Sequence, residues 1–432
     1  MSNFRKIVKK IIPKNLFRKV EPAGHLLEAV AMNIRYGFPA RGLHVIGVTG
    51  TNGKTTTSFM IHKMLVEAGY DVALMSTVAY GLGDDITIQE QHMTTMSSPQ
   101  LLRQIKQFKK QGAKWLVLET TSHALAQNRV WGVPYEIAVM TNLTHEHLDY
   151  HGTLNHYLKS KVRLFQAAGK SKRGFGVVNA DDEYHLAFAN EVSRSVSYGI
   201  ESGDLRAKNI KLQSDGVEYT VEIDGKKHRV RSQIPGKFNV SNSLAAVAVG
   251  LELGIDMKQI VAGIAALEGV EGRMATVDAG QKYGAIIDFA HTPDSFERLL
   301  ADLRKATKGK LVVLFGSAGR RDEEKRAVQG RIAGKYADEV VITEEDDRDI
   351  DGNEIMEQIA TGAEESGKQR ERDLFMILDR PSAIDFAITR VKSADDTVVF
   401  LGKGHERTIE RADGTHPWDE VAEVKRAILA NN

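Results

Sequence analysis

Short apolar runs alternate with segments of helical spacing along most of the chain. The first run, residues 43–49, leads directly into a glycine-rich turn and then into the start of a helix, which continues through residues 58–65. Further apolar runs, each ending in a polar residue, cover residues 72–76, 115–119, 137–142 and 175–179. This alternation is typical of a parallel sheet that is covered by helices on both faces. We therefore expect a ligand crevice at the carboxyl ends of these strands.

A second alternation of strands and helices begins near residue 275, with apolar runs over 285–288, 310–315, 339–343 and 397–401. Before it, residues 205–232 alternate apolar and polar positions around Asp224-Gly225, which predicts an antiparallel hairpin attached to the first sheet. The sequence therefore predicts an α/β fold with a central, mostly parallel sheet domain of the P-loop type and a C-terminal, Rossmann-like α/β domain. The predicted boundaries are 1–42 for a short basic N-terminal segment, 43–272 for the central domain and 273–432 for the C-terminal domain, with a hinge at 269–272.

Composition and charge narrow the class of protein. The chain has 432 residues, and 58 basic against 57 acidic residues leave a formal net charge of +1, so no overall field favours nucleic acid. The absence of cysteine excludes disulfides and thiolate metal sites and is compatible with a reducing compartment. No apolar run approaches the roughly 20 residues of a membrane span. We expect a cytoplasmic protein without a nucleic-acid partner.

The first 20 residues differ from the rest in charge. They contain seven Lys and Arg and no acid, with apolar residues at helical spacing among them. The simpler interpretation is a short helix that docks on its own protein and leaves its basic face in solvent. The alternative is an amphipathic helix that makes weak peripheral contact with an anionic membrane.

The turn after the first apolar run has the composition of a phosphate-binding loop. It consists of Gly50, Thr51, Asn52, Gly53, Lys54, Thr55 and Thr56. The glycines allow backbone N–H groups to point at a phosphate, Lys54 supplies positive charge, and Thr55 offers a hydroxyl to Mg²⁺. The strict Walker spacing would place a glycine where Val48 stands, so the match is to a variant of that loop.

Two further groups of polar residues follow predicted strands, and a third candidate lies on a predicted helix. Glu119 ends one strand and predicts a carboxylate that faces Mg²⁺ opposite the phosphate loop; the plainer alternative is a helix cap. Residues 145–151 contain three histidines and two acids, and their oxygen-rich surroundings favour Mg²⁺ with a single histidine ligand over zinc. Lys161 follows on a predicted helix, and taken alone it would be a solvated surface charge.

A series of motifs resembles those of the Mur ligases and follows that family's order. They are Val-Thr-Gly-Thr-Asn-Gly-Lys-Thr-Thr-Thr (48–57), Glu-Thr-Thr-Ser-His (119–123), Thr-Asn-Leu-Thr-x-x-His-Leu-Asp-Tyr-His-Gly (141–152), Tyr-x-x-x-Lys (157–161), Pro-Gly-Lys-Phe-Asn (235–239), Gly-Arg-Met (272–274), Asp-Phe-Ala-His-Thr-Pro-Asp (288–294) and Gly-Lys-Gly-His-Glu (402–406). Within the family they are most similar to the enzymes that add the third residue of the peptide.

The resemblance implies a role for each matching residue. Lys54, Glu119, His147 and Lys161 would be catalytic. The ATP contacts would be residues 50–56 with Asn242, Arg273 and Asp288. A first Mg²⁺ would be held by Thr55 and Glu119 and a second by His147 and Lys161, with Lys161 carbamylated. The acceptor would be held by Thr94, Thr95, Thr121, Gln127 and Arg129, and the incoming amino acid by Arg321, Arg348, Gly402 and Glu406.

The reaction implied by the resemblance is an ADP-forming, ATP-dependent ligation. An amino acid is joined to a muramyl-peptide carboxylate through an acyl phosphate, as a step of peptidoglycan precursor synthesis. Diaminopimelate-adding members have Asp-Asn-Pro-Arg where this chain has Glu345-Asp346-Asp347-Arg348. Because the arginine is kept, meso-diaminopimelate is the predicted amino acid, and L-lysine is the alternative.

The segment before the phosphate loop departs from the family, whose members carry a larger UDP-gripping domain there. Only residues 1–42 stand in that place here, so we expect a truncated UDP-binding domain. One alternative function is therefore a related ligase acting on an acceptor without UDP, such as a lipid-linked muropeptide or a folate-like polyglutamate. Another is a non-catalytic ATP-binding module.

Overall fold

The computed structural model describes residues 14–89, 94–213 and 216–431. Residues 1–13, the first part of the predicted basic segment 1–42, lie outside the described residues. The helices are α1 (Lys14–Tyr36), α2 (Lys54–Glu67), α3 (Ser98–Lys110), α4 (Ser122–Ala126), α5 (Leu148–His151), α6 (Leu154–Gly169), α7 (His185–Ala189), α8 (Phe238–Glu252), α9 (Met257–Ala265), α10 (Pro293–Ala306), α11 (Glu324–Tyr336), α12 (Gly352–Glu365), α13 (Arg380–Thr389) and α14 (Glu420–Asn431).

The strands are β1 (His44–Thr49), β2 (Val72–Met75), β3 (Ala79–Leu82), β4 (Asp85–Ile88), β5 (Trp115–Glu119), β6 (Tyr135–Met140), β7 (Phe175–Asn179), β8 (Ser195–Gly199), β9 (Leu205–Arg206), β10 (Lys208–Gln213), β11 (Gly216–Ile223), β12 (Lys226–Ser232), β13 (Ala275–Thr276), β14 (Gly284–Asp288), β15 (Leu311–Phe315), β16 (Glu339–Ile342), β17 (Leu374–Met376), β18 (Thr397–Leu401), β19 (Thr408–Arg411) and β20 (Gly414–Pro417).

The central sheet has the strand order β4-β3-β2-β5-β1-β6-β7-β8-β9. Seven of these strands run parallel, and β3 and β4 add an antiparallel edge. Ile46 and Val48 of β1 pack in one hydrophobic cluster with α2 and α8, whereas Val45 packs in another with α3 and α6. Both faces of the sheet are therefore covered, which confirms the predicted fold class and explains why the strands are continuously apolar.

The predicted hairpin is formed by β11 and β12, but its predicted attachment to the central sheet is wrong. The two strands pair with β10 in a separate three-stranded antiparallel sheet. This small sheet packs on α8, where the hydroxyl of Tyr219 lies 2.9 Å from that of Ser243. The apolar side of the hairpin is thus buried against a helix, and the strand pattern alone does not distinguish such a partner from a sheet edge.

The C-terminal sheet has the order β13-β14-β18-β15-β16-β17, parallel except for β13. The four strands predicted from apolar runs are present, and β17 and the β19–β20 hairpin are additional. The chain enters this region at Gly272, where a Cβ would lie 2.3 Å from the backbone nitrogen of His405. The predicted hinge is therefore packed closely against the loop that follows β18.

No helix in the described parts of the chain is long and apolar enough to cross a membrane.

Candidate active site

The carboxyl edge of the central sheet faces a cavity of about 380 Å³ that is also lined by the C-terminal region. Its central-domain walls include residues 51–56, Glu119, His147 and Asn242. Its C-terminal walls include Arg273, Asp288, His291, Arg321 and Glu406. The structure therefore brings residues from most of the predicted groups to one cleft.

The phosphate loop is held in place by hydrogen bonds to the end of the neighbouring strand. Asn142 at the end of the neighbouring strand accepts from the backbone N–H of Thr51 through its carbonyl (2.8 Å) and from that of Asn52 through its side chain (2.9 Å). Gly53 has a φ of 81°, and a Cβ there would lie 2.4 Å from Oδ1 of Asn242. Glycine is therefore required here both for its backbone conformation and for the close approach of Asn242.

Glu119 lies directly beside the loop and is 1% exposed. Its Oε1 accepts from the hydroxyl of Thr55 at 3.1 Å, and its Oε2 accepts from the backbone N–H of Thr77 at 2.8 Å. The guanidinium of Arg273 reaches the same hydroxyl at 3.5 Å. Mg²⁺ bound beside a phosphate takes few protein oxygens and completes its shell with phosphate and water. The oxygens of Thr55 and Glu119 therefore fit one such ion.

A carboxylate and two histidines join the two regions. Nε2 of His147 and Nε2 of His291 lie 3.7 Å and 3.4 Å from Oε1 of Glu146. Burial opposes ionisation of Glu146, but the hydrogen bond from His291 and the nearby cations hold its pKa below the usual range. His147 has a φ of 55°, an uncommon backbone conformation for a non-glycine residue.

Lys161 of α6 is buried at 1% exposure next to the loop. Its Nζ donates to the carbonyl of Gly50 and lies 4.5 Å from the ring centroid of Tyr157. Burial, followed by the positive charge of Lys54, lowers the pKa of Lys161 well below its ordinary value. The surface-charge interpretation of this lysine is thereby wrong.

The predicted acceptor residues surround the turn between β5 and α4. The hydroxyl of Thr95 donates to the carbonyl of Glu119 at 3.0 Å and lies 3.2 Å from the hydroxyl of Thr121. Arg129 donates to the carbonyl of Thr95. Thr94 and Thr121 line the cleft, and Gln127 caps the C-terminal end of α4.

The four predicted amino-acid residues are divided between the cleft and the layer behind it. Arg321 and Glu406 line the cleft. Gly402 follows β18 with a φ of 100°, and a Cβ there would lie 2.4 Å from Oε2 of Glu345. Arg348 is not among the residues lining the cleft, and its guanidinium donates to Glu410 and to the carbonyl of Gly319.

Several contacts escaped the sequence analysis. Besides Glu146 and His291, they include the hydrogen bond from Nδ2 of Asn52 to Oδ2 of Asp294 at 2.8 Å, which connects the phosphate loop to the start of α10. They also include Lys403, whose Nζ donates to Glu406 at 2.6 Å. Each of these residues lies within one of the sequence motifs given in the sequence analysis, so its motif marked it as a candidate. No pattern in the sequence shows which residues contact each other across the two sheets.

Family models and known proteins match this chain over most of its length. The Mur ligase middle domain matches residues 48–250, and the Mur ligase glutamate ligase domain matches residues 272–404. The chain is 41% identical over 399 residues to the UDP-N-acetylmuramyl-tripeptide synthetase of Deinococcus radiodurans, covering 91% of this chain and 79% of that protein. It is 38% identical over 424 residues to the UDP-N-acetylmuramoyl-L-alanyl-D-glutamate--2,6-diaminopimelate ligase of Bacillus cereus, covering 97% and 83%.

A solved structure of a UDP-N-acetylmuramoyl-L-alanyl-D-glutamate--2,6-diaminopimelate ligase superposes with a TM-score of 0.65 at 30% identity and covers 95% of this chain and 83% of that one. The family models cover both regions that line the cleft, and the relatives cover nearly the whole chain. The chain therefore belongs to the Mur ligase family of ATP-dependent, ADP-forming amide ligases, which act in peptidoglycan precursor synthesis.

Proposed function

We propose that this chain joins a diamino acid to the carboxylate of a muramyl-peptide acceptor, using the residues of the cleft described above. The observation that carries the proposal is that Lys54, Glu119 and His147 of the central domain line the same cavity as Arg273 and Glu406 of the C-terminal domain, with Lys161 buried directly behind the phosphate loop. A phosphate donor, an acceptor carboxylate and an attacking amine can therefore meet in one place.

Nucleotide binding is proposed at the phosphate loop together with Asn242, Arg273 and Asp288. Asp288 is held by two backbone N–H groups, those of Met274 and Ala290, each at 2.7 Å. Asn242 is held by the hydroxyl of Thr57 at 3.2 Å. Thr55 and Glu119 would hold one Mg²⁺, which when bound spreads the negative charge of the phosphates. The protein's own contribution is a loop that Asn142 and Asn242 hold in place, with the Nζ of Lys54 lying 2.7 Å from the carbonyl oxygen of Thr51 within it.

A carbamylated Lys161 is proposed as an oxygen donor beside His147. An ammonium group cannot bind a cation, whereas a carbamate supplies carboxylate-like oxygens. Burial next to Lys54 disfavours the charged form of Lys161 and so leaves the neutral amine that reacts with CO₂. The expected result is loss of turnover in Lys161→Ala, partial recovery with a small carboxylic acid, and a mass increase of one CO₂ on the native chain; a Lys161→Ala variant with full activity contradicts the role.

The proposed chemistry has two balanced steps. A carboxylate oxygen of the acceptor attacks the γ-phosphorus, the bond to the β-phosphate oxygen breaks, and ADP and an acyl phosphate form. The neutral amine then attacks the acyl carbon, the carbon–oxygen bond to phosphate breaks, and the proton that the nitrogen loses leaves with phosphate as hydrogen phosphate while the amide forms. Lys54 stabilises charge in the first step, and the Asn52–Asp294 contact helps exclude water from the intermediate.

The acceptor is proposed to contact Thr94, Thr95, Thr121, Gln127 and Arg129. The amino acid is proposed to bind at the site of Arg321, Gly402 and Glu406, with Arg348 in the layer behind the cleft. Meso-diaminopimelate and L-lysine remain the two candidates. Three expectations stay predictions: the domain boundaries at 42 and 272, the cytoplasmic location, and the membrane contact of residues 1–20. A liposome co-sedimentation assay with and without residues 1–20 tests the membrane contact.

The proposed function is tested by ADP release from the full chain. The assay pairs UDP-linked and UDP-free muramyl dipeptides with several diamino acids and follows the amide product by mass spectrometry. We expect ADP and amide in equal amounts with at least one pair. A folate-like acceptor is included as the alternative, and ATP binding without amino-acid-dependent ADP release across the panel would indicate the non-catalytic module.

A further inference from the structure

Arg348, the arginine predicted to grip a carboxylate of the incoming amino acid, already has a carboxylate partner. Its Nε donates to Oε2 of Glu410 at 2.7 Å, and its Nη1 donates to the carbonyl of Gly319 at 2.6 Å. A bidentate grip along the side edge of a guanidinium uses Nε. A second substrate carboxylate must therefore displace Glu410 before it can bind Arg348 along that edge.

The fold holds Glu410 in this position. It lies in β19, which pairs with β20. Its carbonyl accepts from the backbone N–H of Arg348 at 3.0 Å, and its own N–H donates to Oδ1 of Asp346 at 3.0 Å. Asp346 is fixed in turn by the buried Nζ of Lys403 at 2.8 Å. Both sides of the Glu410 backbone are thus anchored to the loop that carries Arg348.

A second, independent feature of this region, beside Gly402, favours an amine. Glu345 is 7% exposed, and its Oε2 faces Gly402. Among the described residues, its carboxyl group accepts no hydrogen bond and forms no close ion pair. Lys325 adds positive charge nearby but donates its own hydrogen bond to the carbonyl of His291 at 3.1 Å. The carboxyl oxygens of Glu345 therefore remain available to a substrate ammonium, which can donate up to three hydrogen bonds.

Resting on the proposed function, we infer that Glu410 determines the amino-acid specificity of this enzyme. By engaging Arg348 it disfavours a second carboxylate, and Glu345 receives the distal ammonium. The substrate class is then an α,ω-diamino acid with a single carboxylate, such as L-lysine or L-ornithine. This substrate class differs from meso-diaminopimelate, which the presence of Arg348 alone predicts. The sequence does not show that Glu410 neutralises the arginine.

The test measures kcat/KM of the full chain for L-lysine, L-ornithine and meso-diaminopimelate at saturating ATP and acceptor. The wild type is expected to favour one of the monocarboxylic amino acids by about tenfold or more. Glu410→Gln keeps the size of the side chain but removes its charge, and it is expected to shift the ratio towards meso-diaminopimelate by about tenfold. Glu365→Gln, which breaks an exposed pair with Arg331 in the same domain, is the matched control and is expected to leave the ratio unchanged.

The ratio of two substrates on one enzyme does not move with a loss of folded protein, so a structural role for Glu410 would not produce the shift. A wild type that prefers meso-diaminopimelate overturns the inference, and so does a Glu410→Gln ratio equal to that of the control. In either case amino-acid-dependent ADP release would still support the proposed function. If no amino acid stimulates ADP release with any acceptor, the proposed function fails, and this inference fails with it.

Discussion

Replacing Gly53 by alanine tests the idea that the phosphate loop and Asn242 form one preorganised nucleotide site. Gly53 has a φ of 81°, and the added Cβ would meet Oδ1 of Asn242 at 2.4 Å. Asn242 cannot yield freely, because its Oδ1 accepts from Thr57 at 3.2 Å and its Nδ2 donates to Asn239 at 2.8 Å. The substitution therefore forces both strain in the loop and movement of the Asn242 amide.

The expected free-energy cost of Gly53→Ala has two parts. An alanine in the left-handed region costs roughly 1–2 kcal/mol, and reduced freedom of the unfolded chain returns about 0.4–1 kcal/mol, which leaves about 1 kcal/mol of destabilisation. Displacing Asn242 breaks two hydrogen bonds worth about 1 kcal/mol each. This further cost of about 2 kcal/mol also lowers the free energy of unfolding of Gly53→Ala. Because nucleotide binding at this site needs Asn242 in its native place, the same cost corresponds to a fall of about 30-fold in kcat/KM for ATP.

Gly69 provides the matched control. Its φ is 83°, and an added Cβ would have nothing within 4 Å. Gly69→Ala is expected to share the loss of about 1 kcal/mol in the free energy of unfolding, measured by urea denaturation, while keeping its kcat/KM for ATP within about twofold of the wild type. If Gly53→Ala retains wild-type kinetics, or if the two variants lose the same activity, the reasoning about Asn242 is refuted.

Three further predictions concern closure, pH and stability. Asp294→Ala removes the contact with Asn52, so more phosphate should be released per amide formed, as measured by parallel phosphate and product assays. Burial and the carboxylates of residues 344–346 raise the pKa of Asp347 to about 6. Asp347→Asn should therefore be more stable than the wild type by about 1 kcal/mol at pH 7.5. Glu420→Gln leaves the fully buried Arg380 without its ion-pair partner and should cost about 3–5 kcal/mol in urea denaturation.

The outcomes that contradict these predictions are equally specific. Equal amounts of phosphate and amide from Asp294→Ala would show that the contact between Asn52 and Asp294 does not protect the intermediate from water. A folded-state pKa above the unfolded value means that ionisation of Asp347 lowers stability as pH rises from about 4 to 6, so the advantage of Asp347→Asn must vanish near pH 4. A loss below about 1 kcal/mol in Glu420→Gln, similar to that of the exposed-pair variant Glu365→Gln, would show that the buried pair contributes little.

The parts of the structure that follow from the sequence are those fixed by local pattern. The apolar run before Gly50 and the glycines after it specify a strand, a turn and a helix within about a dozen residues, and the structure has all three. Strand order does not follow in this way, because parallel pairing joins β1 to β5 and β6 across long connections. The detached sheet of β10–β12 illustrates the same limit.

In the candidate site, the positions of single residues follow from the local sequence, whereas contacts between distant residues do not. Thr55 and Glu119 each follow from their position next to a strand end, and the structure joins them at 3.1 Å. The contact between Glu146 and His291 and that between Arg348 and Glu410 connect residues far apart in the chain. Nothing in the local sequence predicts such pairs, although the second of them decides the charge available to a substrate.

The most direct test of the central claim is the fate of the acceptor oxygen. The reaction is run to completion with a muramyl-peptide acceptor whose reacting carboxylate carries ¹⁸O, with ATP and the preferred amino acid, and the released phosphate is analysed by mass spectrometry. Transfer through an acyl phosphate predicts one ¹⁸O in each phosphate formed from a fully labelled carboxylate. Unlabelled phosphate, with its new oxygen taken from water, would contradict the account.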